Sequence, residues 1–250
     1  MEYSDLVMLG VFGFLAQLVD GALGMAYGTL SSALLLAWGL PPVNASAAVH
    51  SAQVFTCAAS GMSHVAYKNV KWPIVWTLAV PGVIGAVIGA LVLTYVDGKT
   101  IRPFISVYLA GLGLLIVYRA LRRNVPMPKA SDPVVAPVGF AGAFFDTIGG
   151  GGWGPIVTTT LVGRGHEPRY AVGSVNVAEF IVKTAASASF LMLIGLMHAP
   201  VVLALLAGGI LAAPFGGYLA KRIPTQPFLF LVGALVISLS LWQLSRVLWG

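Results

Sequence analysis

The sequence predicts an all-α integral membrane protein. It is expected to hold two inverted repeats of about five helical elements, each starting with a glycine-broken, re-entrant helical hairpin. Three observations carry this. The chain is 58% hydrophobic and only 9% charged, where a soluble domain carries about 25% charged residues. The runs Trp72 to Val96, Pro103 to Tyr118, Thr184 to Met197, Pro200 to Ala220 and Pro224 to Ser245 hold no charge, and they approach or fall somewhat short of the ~20 residues that span a bilayer. Gly13 to Ser60 aligns without a gap on Gly139 to Ala186, at a fixed offset of 126. Internal repetition with interrupted hydrophobic segments at matching places points to a secondary transporter.

In the first half the apolar elements are expected at Leu6–Val19, Tyr27–Trp38, Ala45–Tyr67, Pro73–Val96 and Pro103–Tyr118. In the second they are expected at Val134–Phe145, Trp153–Val162, Ala171–Met197, Pro200–Ala220 and Phe228–Leu248. The first two elements of each half are short. The breaks between them, Gly21-Ala-Leu-Gly24 and Gly149-Gly-Gly-Gly152, hold no charge and no polar connector. A hairpin that dips into the membrane and returns fits this better than two full spans. Irregular backbone at that depth is tolerated only where protein or a water-filled cavity shields it. The halves are residues 1–122 and 137–250, joined by a basic, proline-rich linker at 123–136 and forming one integrated transmembrane domain.

Charge sets the expected orientation. With the N-terminus on one side, the other side receives Lys68, Lys71, Arg119, Arg122, Arg123, Lys129, Arg164, Arg169, Lys221 and Arg222. The N-terminal side receives Lys99, Arg102 and Arg246, and Lys183 lies inside a span. Cytoplasmic loops carry the excess of Lys and Arg, so both termini are expected outside a bacterial inner membrane. Each half crosses an odd number of times, so the halves are inverted relative to each other. Glu2 and Asp5 stand where a signal peptide carries basic residues, so the first helix is expected to stay in the chain. The net charge of +6 is explained by orientation and calls for no nucleic acid. One cysteine, Cys57, excludes an internal disulfide and a multi-cysteine metal site; no cofactor or metal is expected.

Both copies carry G-F-x-x-x-x-x-D-x-x-x-G-x-x-x-G, from Gly13 to Gly28 and from Gly139 to Gly154, followed by Pro-x-x-Ala at Pro42 and Pro168. Duplicated within a mostly apolar chain of 250 residues, this pattern resembles the TauE/SafE sulfite exporter family. The resemblance covers nearly the whole chain. It implies transport of sulfite, or of sulfur-containing or carboxylated organic anions, coupled to an ion gradient.

Ionisable groups inside spans are functional candidates by default. Asn176, Glu179 and Lys183 are spaced to share one helix face, and Glu179 and Lys183 form an i,i+4 pair in the favourable order. The repeat mates are His50, Gln53 and Cys57. Asn176, Glu179, Lys183, His50 and Gln53 are expected to line a pathway for a small anion, with Cys57 a small buried residue. Lys183 attracts the anion, Glu179 serves as counter-charge or proton carrier, and His50 is a second proton carrier. A structural ion pair is the alternative for Glu179 and Lys183. Gly24, Gly150, Gly151 and Gly152 are expected to offer half-helix N–H groups to the anion, with hydroxyls from Ser31 and Ser32 or from Thr158, Thr159 and Thr160. Gly85, Gly89, Gly209 and Gly216 are expected to serve close helix packing. Two readings are open for Asp20 and Asp146: caps of the following half-helix, or proton or cation sites. A passive anion channel, and a membrane haem or redox protein using His50 and His64, are the competing functions. Self-association is left open.

Overall fold

The computed structural model describes residues 3–23, 25–121, 132–195, 199–222 and 225–249. Among them the secondary structure is all helical: α1 (Tyr3–Leu23), α2 (Tyr27–Trp38), α3 (Pro42–Ala66), α4 (Trp72–Tyr95), α5 (Gly98–Leu121), a 3-10 turn (Asp132–Val134), α6 (Val135–Gly149), a π-helical stretch (Gly154–Thr158) running into α7 (Thr159–Gly163), α8 (Pro168–Ile194), α9 (Ala199–Arg222) and α10 (Thr225–Trp249). All ten expected elements are present. The linker largely lies outside the described residues, as do Gly24 and His198.

The start of α5 moves out by five residues, to Gly98, and α1 also runs beyond its expected bounds. It continues through Asp20 to Leu23 and reaches 21 residues, about 31 Å at 1.5 Å per residue. The sequence expectation ended this element at Val19, just before Asp20 and the Gly21–Gly24 break. Within the structure the Asp20 carboxylate is bound to the backbone of Tyr27, so the helix continues past it. Among the described residues five helices are long and apolar enough to cross a membrane: Tyr3–Asp20, Trp72–Tyr95, Gly98–Leu121, Arg169–Ile194 and Leu229–Val247. At 12 residues, α2 spans only about 18 Å, and its mate Gly154–Gly163 is shorter still.

The offset of the repeat extends across the helices, so α1 matches α6, α3 matches α8, α4 matches α9 and α5 matches α10. Packing respects this exchange. The α1–α9 contact has its counterpart in α4–α6, and α3–α9 in α4–α8. The mates α3 and α8 pack directly on each other and run antiparallel, since Ser51 bonds Ser187 while Ser60 bonds Asn176. Likewise Ser106 meets Gln243, and Gly113 meets Gly233 and Ile237, so α5 and α10 are antiparallel.

Small residues make these crossings possible. A Cβ on Gly13 would lie 2.2 Å from the Leu205 carbonyl oxygen, and one on its mate Gly139 2.7 Å from that of Leu78. Gly85 and Gly89 serve α4 in the same way against Phe140 and Phe144. Gly209 does not, because a Cβ there meets nothing closer than 3.8 Å.

Candidate functional site

The site is built where the two breaks meet. Asp20 Oδ1 accepts the backbone N–H of Tyr27 at 3.2 Å, and Asp146 Oδ1 accepts that of Trp153 at 3.0 Å. These are the same bond at repeat-mate positions. The first N–H groups of a helix have no partner within it, and each carboxylate reaches seven residues forward across the break to satisfy one. The backbone before each helix also agrees: Ala26 has φ 98° and its mate Gly152 has φ 141°.

The other oxygen of Asp146 distinguishes the second half. Oδ2 accepts from Lys183 Nζ at 2.6 Å and lies 3.1 Å from His50 Nε2. His50 Nδ1 sits 2.8 Å from the carbonyl oxygen of Ser46, so both ring nitrogens face oxygen acceptors. Asp146, His50 and Lys183 are all 0% exposed. The Phe190 ring packs edge-on against His50 at 6.1 Å. Glu179 Oε1 is 3.9 Å from Lys183 Nζ, a longer contact than that to Asp146.

A cavity of about 20 Å³, room for about one water molecule, lies between the two helix tips. Asp20, Tyr27 and Gln53 wall it from the first half, and their mates Asp146, Trp153 and Glu179 from the second. Asn176 completes the polar lining. The side-chain oxygens of Gln53 and Thr29 are buried there without a hydrogen-bond partner in the structure.

The sulfite exporter TauE/SafE family matches residues 9–242 of the chain. The chain belongs to that family. It is 41% identical over 245 residues to the probable membrane transporter protein YtnM of Bacillus subtilis (strain 168), covering 94% of this chain and 81% of that protein. No solved structure matches it. Membership and the apolar helices make this an integral membrane protein and a membrane transporter.

In this TauE/SafE member the glycine cluster does something other than face the cavity as a whole. Only Gly152 of that cluster lines it. Gly151 abuts the first turn of α2, where an added Cβ would lie 2.2 Å from Gly28 C and from Thr29 N. Gly150 has φ 71° and leaves no room beside Ser32. Hydroxyls take the carbonyls of this segment: Ser46 donates to Thr147, Ser32 to Gly150 and Tyr108 to Gly151. Three of the five expected hydroxyl donors are engaged elsewhere. Ser32 serves the break, while Thr159 and Thr160 bond the carbonyls of Pro155 and Ile156 in their own segment. Ser31 Oγ is buried without a partner.

The candidate residues thus fall into two layers. Asp20, Gln53, Asp146, Gly152, Asn176 and Glu179 line the cavity. His50 and Lys183 stand behind Asp146 and hold it. The expectation that Lys183 faces the pathway beside Glu179 is corrected in one respect: its closest partner is Asp146, on another helix. Ser46, Tyr108 and Thr29 were missed. Ser46 had a sequence signal, lying one turn before His50 on the same face; Tyr108 had none.

Proposed function

We propose that this protein is a secondary transporter of a small anion, of the sulfite, organosulfonate or related sulfur-containing or carboxylated class, coupled to protons. The observation that carries the proposal is the charge arrangement at the tips. Three carboxylates, Asp20, Asp146 and Glu179, wall one small cavity. One ammonium, Lys183, lies within 4.0 Å of two of them. Buried charge demands compensation, and protons on the carboxylates would supply it. Each proton bound also makes the cavity more attractive to an anion, because Lys183 and the two helix N-termini then dominate its field. His50 touches Asp146 and is the natural carrier of a proton to or from it.

The antiparallel packing of repeat mates α3 with α8 and α5 with α10 supports an inverted repeat. The brevity of α2 and of Gly154–Gly163 supports re-entrant hairpins. Charge placement supports termini outside the inner membrane. Lys71 and Arg169 both lie on the Tyr170 ring at one end. Arg102 and Arg246 share a pocket at the other, beyond the 24 residues of α4. The cavity is too small for an organic anion, so transport requires the two tips to separate.

A haem site on His50 and His64 is disfavoured. Both His50 nitrogens are engaged, and the two residues are 14 positions apart on one helix, about 21 Å along its axis. The test of the proposal is flux into proteoliposomes. Sulfite and small sulfonates should accumulate or discharge according to an imposed proton gradient. Anion flux indifferent to that gradient would favour a channel, and no flux of any of these anions would defeat the proposal.

A further inference from the structure

A second polar pocket lies far from the central cavity, at the end of the molecule where α2 and α10 finish and α5 begins. It holds about 300 Å³ and is walled by Arg102, Gln243 and Arg246, with Trp242 and the Leu36–Gly39 turn as its apolar side. Two guanidinium groups share this pocket, and among the described residues neither has a carboxylate within 4.0 Å. Like charges repel unless an anion or solvent stands between them. Each arginine is fixed in place. Arg102 Nη2 donates to the carbonyl oxygens of Leu36 and Leu40 at 3.0 and 3.3 Å, while its Nε is buried without a partner. The Arg246 guanidinium stands 5.2 Å from the centre of the Trp242 ring.

Gln243 supplies the independent sign of a ligand. It is 4% exposed. Its Oε1 lies 3.1 Å from Ser106 Oγ, which also lies 3.0 Å from the Arg102 carbonyl oxygen, and its Nε2 has no hydrogen-bond partner in the structure. A buried amide donor without a partner is destabilising unless something accepts from it. The donors of the pocket are therefore the Arg102 Nε, the Gln243 Nε2 and the Arg246 guanidinium, with no carboxylate among its lining residues.

The repeat makes the pocket specific to one end. The mates of Arg102, Gln243 and Arg246 are Phe228, Val117 and Ala120, none of them polar. The scaffold does not need these groups at the equivalent place, so the structure itself gives them no duplicated role. Trp249, 89% exposed, and Tyr95, 77% exposed, lie at or near this end, as aromatic residues do at the level of lipid headgroups.

We propose that this pocket binds an oxyanion of the phosphate or sulfonate type, held by Arg102, Gln243 and Arg246. Two sources share that chemistry: the phosphate of an anionic phospholipid, and a free anion on its way to the central cavity. Guanidinium groups bind such oxygens through two parallel N–H donors, and an apolar wall beside the charge suits either an acyl glycerol backbone or the carbon chain of a sulfonate.

The experiment uses the purified full chain stripped of lipid in neutral detergent. Methanesulfonate, inorganic phosphate and short-chain phosphatidylglycerol are titrated by calorimetry, with short-chain phosphatidylcholine as the zwitterionic control. Saturable binding of at least one of the three anionic probes is expected, weakened at least tenfold in Arg246→Gln and less in Arg246→Lys. Binding of phosphatidylglycerol alone assigns the pocket to lipid, and binding of the small anions assigns it to free anion. Arg246 lies at the exposed end of its helix, and Gln243→Leu gives an independent variant that should also lose binding. Failure of all three anionic probes to bind the parent overturns the proposal. So does equal binding by the parent and both Arg246 variants.

Discussion

The pairing of Lys183 with Asp146 rather than Glu179 is open to a direct energetic test. Asp146→Asn keeps the shape of the side chain and removes its charge. It leaves a fully buried ammonium with Glu179 as its nearest remaining carboxylate, at 3.9 Å instead of 2.6 Å. Removing one partner of a buried ion pair costs about 3–5 kcal/mol. Part of that is the short charge-assisted hydrogen bond, worth about 1.5–3 kcal/mol. Lys183→Met should cost less, because Asp146 retains His50 and the Trp153 N–H. A double-mutant cycle isolates the pair. The coupling between positions 146 and 183 is expected at about 3 kcal/mol, and that between 179 and 183, measured with Glu179→Gln, at about 1 kcal/mol or less, nearer the scale of an i,i+4 pair. Denaturant unfolding in detergent, followed by tryptophan fluorescence, reads all of these. A Glu179 coupling equal to or larger than the Asp146 coupling would refute the reasoning, as would an Asp146→Asn variant within 0.5 kcal/mol of the parent.

Other predictions follow from single contacts. Gly151→Ala places a Cβ against the backbone of Gly28 and Thr29 and should abolish folded protein in the membrane fraction, whereas Gly111→Ala, with nothing within 4 Å, should leave the yield unchanged. Ala26→Gly should raise stability by about 1 kcal/mol, because Ala26 holds φ 98° where its mate is Gly152; a fall in the denaturation midpoint would contradict it. Gln53→Leu removes a buried oxygen without a partner and should preserve the melting temperature while weakening stabilisation by substrate, read as a smaller thermal shift at fixed anion concentration. In a Cys57→Ala background, Lys99→Cys should react with an impermeant maleimide outside intact cells and Lys68→Cys should not; the reverse pattern would invert the proposed topology.

Much of this fold is written in the sequence because the chain states it twice. Gly13 and Gly139 both allow a crossing helix, and Asp20 and Asp146 both bind the N–H seven residues on. Where two copies need one residue for one physical reason, the repeat exposes it. Contacts between elements were less legible. Spacing along α8 joins Lys183 to Glu179, since helical periodicity sees only one helix. The contact with Asp146 depends on how α6 approaches α8, and no local pattern encodes that. The same limit applies to Tyr108, an unremarkable residue in an apolar run until its hydroxyl meets the Gly151 carbonyl. The end of α1 was misplaced for a related reason: the Asp20 carboxylate finds its partner, the Tyr27 N–H, beyond the break, and no local pattern shows that contact.

The central claim is that Lys183, held by Asp146 behind a cavity of three carboxylates, is what lets this cavity accept an anion. Equilibrium binding of sulfite and small sulfonates to purified protein with and without Lys183→Met, both in an Arg246→Gln background that removes the second pocket, tests it most directly, with circular dichroism and gel filtration showing that the variant is folded. The account predicts saturable binding by the protein that keeps Lys183 and none by the folded Lys183→Met variant. Equal affinity in the two proteins would make Lys183 a structural residue and would place the anion at the helix tips without it.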